Sequence, residues 1–396
     1  MIMKKHLYFG PAFLSLCLFF ACDSSGSSDQ DASADEDSGQ SVDAGMDSGK
    51  NNDAGSDSDT DADSDTDTDA DADADSGMDA SWDASADGGN MEGKFIVVTF
   101  NTGTTDTLLH NSDGDDYGSE QVDISDEWYG NGLAWVPAIE AVTDWFADLQ
   151  PDVVVFQEIF YSGLCPGIPA DKKDGFVCED WVDTGPTVAQ IILGSGYQVA
   201  CHPGKDDKCI AVKKSFGSIR QCTDDYFCLE GLDGERVDQC GGGARVARAT
   251  IDLVEGGEIT VLNYHGSSGI TSDDMECRAK QVEQVFDDMD GEPGANGDRN
   301  VVLGDLNTDP GRVSGLIDES VAAWKKYVGP SKEFHWISPI GTSATPTYTG
   351  GLNIDHVVSD VFTGSCYAPG ATPGYPKVYE NVLFDHKPLV CTIGDL

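Results

Sequence analysis

A mixed α/β sandwich is the fold class predicted for residues 91–396, on two observations. Apolar runs of strand length, broken by Gly and Pro, recur from Met91 to the end of the chain. Only a few segments with helical spacing are interspersed among them, which argues for a sandwich rather than a doubly wound parallel sheet. About 300 residues are available for this unit, near the upper limit for a single core.

The elements follow in chain order. Lys94–Asn101 (KFIVVTFN) reads as a buried strand, and an acidic loop follows it. Trp128–Leu149 has helical spacing and stops before Pro151. Asp152–Glu158 (DVVVFQE) is a second buried strand. A Cys-, Gly- and Pro-rich loop covers 159–183, and Thr187–Leu193 suggests a helix. Tyr197–His202, Cys209–Lys213, Ala244–Val254 and Glu258–His265 read as strands. Asp273–Met289 is expected to be helical and Asn300–Asn307 a strand; Ile354–Ser359 and Leu389–Ile393 are the last strands.

The first 90 residues differ in texture. Lys4 and Lys5 precede a short apolar stretch from Leu7 to Phe20, the pattern of a secretory leader. The stretch is too short, and too broken by Gly10 and Pro11, for a transmembrane span. It ends Leu18-Phe-Phe-Ala-Cys22, similar to the bacterial lipobox, so Cys22 is the candidate lipidation site and residues 1–22 the signal peptide. The expected location is exported: a bacterial membrane lipoprotein on the outer membrane or cell surface, or, by ordinary signal cleavage, a secreted product. Residues 23–90 hold 22 Asp or Glu against Lys50 alone, with Trp82 the one aromatic. Such a stretch cannot bury enough surface to offset its ordering entropy, so a disordered Asp/Ser-rich linker is expected. Its alternating Asp residues and the fragment Asn111-Ser-Asp-Gly-Asp-Asp116 are weak calcium-like patterns, which leaves Ca²⁺ open as a structural ion.

The formal net charge is −48; setting the linker and leader aside leaves the domain 49 acids against 20 bases. Such a domain does not look like a generic polyanion binder with a basic face. A phosphate-bearing ligand would have to be met by a metal ion and a few local cations. Ten Cys remain after Cys17 and Cys22, an even number that implies disulfides in an exported chain. Cys165–Cys178, Cys201–Cys209 and Cys366–Cys391 are plausible local pairs, although spacing does not decide connectivity. No Cys-x-x-Cys occurs, which argues against a thiolate metal site.

Polar residues sit at the ends of the apolar strands: Asn101, Glu158, His265, Asp305 and Asn307, with Asp355-His356 opening one strand and Asp385-His386 preceding the last. If these ends meet at one sheet edge, the carboxylate and amide oxygens suit Mg²⁺ or Mn²⁺, and a His can act as acid or base. No single member of the set is specific. A lone Asp-His is usually a loop pair, and Gly-Asp-x-Asn alone can be a turn.

The ordered set resembles the endonuclease/exonuclease/phosphatase superfamily, the group that includes pancreatic deoxyribonuclease. Its landmarks are Thr99-Phe-Asn101, Gln150 to Glu158, Leu262-Asn-Tyr-His265, Gly304-Asp-Leu-Asn307, Asn353-Ile-Asp-His-Val357 and Asp385-His-Lys-Pro388, together spanning nearly all of residues 94–396. The resemblance implies a four-layer α/β sandwich of two packed mixed β-sheets flanked by helices. It implies a metal held by Glu158, with Asn101 nearby and Asp385 also coordinating. It implies that His386 is the base that activates water, oriented by Asp355. Asp305 and Asn307 would position nucleophile and phosphate, and His265 would bind phosphoryl oxygens or assist the leaving group. Adjacent strand residues face opposite ways, so His356 is expected to point away from Asp355's side. Phe384 departs from the family, which often has Ser there, and no carboxylate partner for His265 is identifiable in 214–243. Three functions are implied: an endonuclease-type phosphodiesterase acting on DNA or RNA, a phospholipid-headgroup or inositol-phosphate hydrolase, and a non-catalytic surface-binding module. The presence of every expected catalytic side chain disfavours the third. A monomer is expected, meeting the membrane only through its lipid anchor.

Overall fold

Alternation within the strands builds the layers of this protein, whose structure is a computed structural model. The structure describes residues 93–104, 117–223, 226–231, 246–287, 292–313, 315–379 and 383–395. The leader with Cys22, the 23–90 linker and the fragment 111–116 lie outside the described residues. The strands are β1 (Lys94–Asn101), β2 (Val153–Gln157), β3 (Tyr197–His202), β4 (Lys205–Lys213), β5 (Gly217–Ile219), β6 (Glu230–Gly231), β7 (Val246–Leu253), β8 (Glu258–His265), β9 (Asn300–Asp305), β10 (His335–Trp336), β11 (Asp355–Ser359), β12 (Phe362–Tyr367) and β13 (Leu389–Asp395). The helices are α1 (Ser119–Trp128), α2 (Val136–Leu149), α3 (Val188–Leu193), α4 (Ser272–Phe286) and α5 (Glu319–Tyr327).

One sheet runs β12-β13-β1-β2-β4-β3 and the other β10-β11-β9-β8-β7-β5, with β6 also paired to β7. Among the described strands only β1–β2 and β8–β9 pair in parallel, so both sheets are mixed. Successive side chains of a strand point to opposite faces. Val97, Val153 and Val155 therefore meet Val261, Val301 and Leu303 in a core between the sheets. Their neighbours Val98, Phe100, Val154 and Phe156 face Val142 and Phe146 of α2 and Val188 and Ile192 of α3. On the far side Leu262, Tyr264 and Val302 pack on Val282 and Val285 of α4 and Trp324 of α5. The result is the expected helix–sheet–sheet–helix sandwich, and burial of both faces explains why these strands are mostly apolar rather than alternating.

Three sequence expectations need correction. The helix expected over 128–149 begins only at Val136: the preceding stretch, read as an acidic loop, contains α1, which ends at Trp128; Gly130 and Asn131 turn with φ of 57° and 55°, and α2 starts with a Pro in its first turn. Proline is tolerated there because the first-turn N–H groups have no intrahelical partner. Strand β4 begins at Lys205, not Cys209, because its charged first turn of sequence carries no apolar signal. Helix α5 and strand β12 were not anticipated. All three expected disulfides form, Cys222–Cys228 adds a fourth, and Cys277 is also disulfide-bonded. Among the described residues no helix is long and apolar enough to cross a membrane.

Candidate active site

Strand direction decides which ends meet. β1 and β2 run in parallel, so Asn101 and Gln157 are register partners and Glu158 follows at the same edge. β8 and β9 are also parallel, and His265 is registered with Asp305. β11 runs antiparallel to β9, which sets its first residue, Asp355, against Asp305. β13 is antiparallel to β1, so Asp385 and His386, just before β13, arrive beside the end of β1. All eight candidate site residues of the domain are thereby brought to one edge of the sandwich.

A buried polar network lies beneath that edge. Gln157 accepts from Thr99 Oγ1 at 3.2 Å and donates to Asn263 Oδ1 at 2.7 Å, which links the two sheets. Asn263 Nδ2 in turn donates to the carbonyls of Phe156 and Cys209 at 2.8 and 3.0 Å. Glu158 leaves β2 in the left-handed region with φ 56°, and Asn307 leaves β9 likewise with φ 48°. Few non-glycine residues adopt this conformation, so both turns are specified by their surroundings.

Above the network the side chains interlock. Asn101 Nδ2 donates to Glu158 Oε1 at 3.2 Å and to Asp305 Oδ2 at 3.1 Å. Asp305 also accepts from the Asn307 backbone N–H at 2.8 Å and from its Nδ2 at 3.0 Å. His386 Nδ1 lies 2.8 Å from Asp355 Oδ2, and its Nε2 lies 3.7 Å from Asp305 Oδ2. His265 Nε2 lies 3.3 Å from Glu158 Oε1 and 3.7 Å from Asp305 Oδ2. His356 does face away: it is held by Ser338 Oγ at 2.9 Å and the Asn353 carbonyl at 2.8 Å, and burial lowers its pKa to about 4.

The charges are unbalanced. Burial would depress His386, yet the carboxylates of Asp355, Asp305 and Asp385 hold it well above its ordinary value. Burial lifts the Asp385 carboxyl to about 8 against the His386 charge, and the Glu158, Asp305 and Asp355 carboxylates push the same way. Burial would also raise Glu158, but His265 and His386 hold it below its ordinary range. Three buried polar atoms of the site, His265 Nδ1, Asp355 Oδ1 and Asp385 Oδ1, have no hydrogen-bond partner. Unpaired buried polar atoms are costly unless something binds them.

Gly103, which sequence reasoning missed, marks where that something fits. A Cβ placed on it would lie 2.5 Å from Glu158 Oε2, 3.1 Å from Asn101 Oδ1 and 3.2 Å from Asp385 Oδ1. Two carboxylate oxygens and one amide oxygen thus converge on a small space, a hard-oxygen set that fits Mg²⁺, Mn²⁺ or Ca²⁺. Asp305, Asp355 and His386 also present ligand-type atoms within 4.8 Å of one another. Asp207 of β4 was likewise missed. Burial would raise its carboxyl, yet Lys208, with Nζ at 3.1 Å, and His265 hold it at about 2. It lies in the charged start of a strand, close enough to His265 for their charges to interact.

The Endonuclease/Exonuclease/phosphatase family profile matches residues 98–372, and the chain belongs to this family, whose members hydrolyse phosphoester bonds. The matched span includes six of the eight site residues; Asp385 and His386 lie beyond it. No curated protein matches the sequence. Among solved structures, a humanised D. rerio TDP2 carrying 14 mutations is 14% identical, with 76% of this chain and 99% of that chain covered and a TM-score of 0.42. The human Nocturnin catalytic domain is 14% identical over 77% of this chain and 94% of its own, with a TM-score of 0.42. A family protein from Bacteroides thetaiotaomicron is 15% identical over 76% and 96%, with a TM-score of 0.40.

Proposed function

We propose that the protein is an exported, metal-dependent phosphodiesterase that cleaves nucleic acid by attack of water on phosphorus. The convergence of Glu158 Oε2, Asn101 Oδ1 and Asp385 Oδ1 around Gly103, beside the His386–Asp355 pair, carries this reading. Glu158, Asn101 and Asp385 would hold Mg²⁺ or Mn²⁺, which supplies neutralisation of the charge that grows on phosphate oxygens. Asp355 fixes the ring of His386 through Nδ1, which leaves Nε2 to take the proton from water. Asp305, Asn307 and Asn101 form one hydrogen-bonded cluster able to orient the water and the phosphate. As water adds to phosphorus, its proton passes to His386 and the ester bond to the leaving oxygen breaks. His265 faces the same space and is placed to bind a phosphoryl oxygen or assist that oxygen's departure. The surrounding carboxylates raise the proton affinity of His386, and a cation held by Glu158, Asn101 and Asp385 would offset part of their charge.

Plasmid DNA, RNA, sphingomyelin and inositol phosphates, each with Mg²⁺, Mn²⁺ or EDTA, test the reading. Nucleic acid should be hydrolysed only with metal, and Glu158→Gln should weaken the metal dependence. Metal-independent activity, or a metal-dependent activity confined to the other substrates, would refute it. One observation favours a phospholipid-headgroup esterase as the second reading. Ile317 is 84% exposed and Ile270 48% exposed, on loops that follow β9 and β8. Buried Arg278 ties those loops together through the Gly269 carbonyl at 2.8 Å and Asp318 at 3.1 Å. Export and anchoring through Cys22 rest on the leader sequence, and Cys22→Ala should release the protein from the membrane fraction.

A further inference from the structure

Tyr161 stands three residues beyond Glu158, so their Cα atoms are at most about 11 Å apart. Its ring stacks on Tyr226, with centroids 5.8 Å apart and planes at 20°, and meets the edge of Phe227 at 4.9 Å. Tyr226 and Phe227 contact each other at 5.0 Å and pack against the helix-side core; Tyr161 does not belong to that core. A Cβ on Gly163 would collide with the Cε1–Cζ–Oη end of the Tyr161 ring, so the chain passes close to the hydroxyl end of it. Tyr161 lies four residues before the Cys165–Cys178 bond, and Tyr226 and Phe227 lie within the loop that Cys222–Cys228 closes. Cys201 N–H donates to the Tyr226 carbonyl at 2.7 Å, which fastens the second loop to the edge of β3.

We propose that Tyr161 is the face of a preorganised stacking platform that receives a nucleobase of a single-stranded substrate, next to the phosphate being cleaved. The proposal rests on the phosphodiesterase reading above and names the feature by which the substrate is held. The charge balance motivates it: 49 acids against 20 bases repel a polyanion, so affinity has to come from contacts that do not depend on charge. Base–aromatic stacking is such a contact, and it tolerates any sequence because every base has a π-face. The Cys222–Cys228 bond restrains the two rings that support Tyr161, so little entropy is lost there on binding. A partly exposed tyrosine resting on two core-packed rings presents its ring without having to be ordered by the ligand.

The test uses the full chain carrying His386→Ala, to block turnover, with Mg²⁺ and a single-stranded oligonucleotide containing 2-aminopurine. Saturable quenching of the 2-aminopurine fluorescence is expected, and Tyr161→Phe should preserve it. Tyr161→Ala and Tyr161→Leu should each raise the apparent Kd about 5- to 150-fold, the range of one lost base stack. Tyr161→Leu keeps apolar bulk, so a loss shared by both variants belongs to the ring. With His386 intact, Tyr161→Ala should raise KM more than it lowers kcat. It should leave unaffected an oligonucleotide of the same length that lacks bases around the cleavage site. Unchanged quenching in folded Tyr161→Leu, or equal losses on the base-free substrate, would overturn the platform, as would failure to bind any oligonucleotide. Quenching that depends on Tyr161 in a protein without metal-dependent hydrolysis would support the platform and refute the phosphodiesterase reading alone.

Discussion

A methyl group on Gly103 would stand 2.5 Å from Glu158 Oε2, inside the space assigned to the cation. Gly103→Ala should therefore lower Mg²⁺ affinity at least about tenfold, comparable to the loss of a supporting contact at a metal site. Titration of activity against Mg²⁺ reads it directly, and unfolding by urea should show stability nearly unchanged. His386→Ala should lower kcat about 100- to 10,000-fold, as expected for a lost general base, in a protein that stays folded. An unchanged turnover number in that variant would end the assignment. His356 gives a pH prediction independent of catalysis. Burial lowers its pKa from 6.5 to about 4 in the folded protein. Between these values the unfolded chain binds more protons, so stability is present above pH 6.5 and is lost as pH falls towards 4. The loss amounts to about 3 kcal/mol. Guanidinium unfolding from pH 4 to 7 should show that slope flattened in His356→Asn.

Cys366 and Cys391 are register partners on β12 and β13, and their bond closes a separation of 25 residues. Replacing both with Ala should cost about 3 kcal/mol by restoring freedom to the unfolded chain. The bond lies on β-strands away from the site residues, so kcat of the folded fraction should not change; a large fall in kcat would show that this edge supports the site. The pair also shows where periodicity stops being informative. β12 (FTGSCY) is an edge strand buried only at Phe362, so its sequence lacks the apolar run that announces β1, β2, β8 and β9. Helical spacing runs from Trp128 to Leu149, but Gly130 and Asn131 in positive φ make its start a turn between α1 and α2. Period alone does not register a turn of two residues inside a longer pattern.

Acidity belongs to the molecule as a whole, and it sets the sign of the salt dependence. Raising ionic strength from about 0.01 to 0.15 M shortens the screening length from about 30 to 8 Å. For this domain that screens repulsion, so kcat/KM on nucleic acid should rise at fixed Mg²⁺, whereas a basic nuclease would slow. A steep fall with salt would indicate a local cationic track that the net charge conceals. Every candidate active-site residue lies between Asn101 and His386, and the family match begins at residue 98. A chain beginning at Met91 should therefore fold and keep its specific activity on soluble substrate. Circular dichroism and initial rates against the full chain decide this.

The sequence by itself determined the strands that are buried on both faces and the residue types at their ends, because both are written in short-range patterns. Lys94–Asn101 and Glu258–His265 have the bounds their apolar runs predicted, and Thr187 caps α3 where the helix was expected to begin. Only the tertiary structure decided that those ends converge, since convergence depends on strand order, direction and register. His265 meets Asp305 because β8 and β9 are parallel, and Asp355 meets Asp305 because β11 is not. The place of Gly103 among three oxygens, the reach of Asp207 to His265 and the Gln157–Asn263 link between the sheets arise the same way. Each joins residues far apart in the chain, and nothing local to either partner records the distance between them.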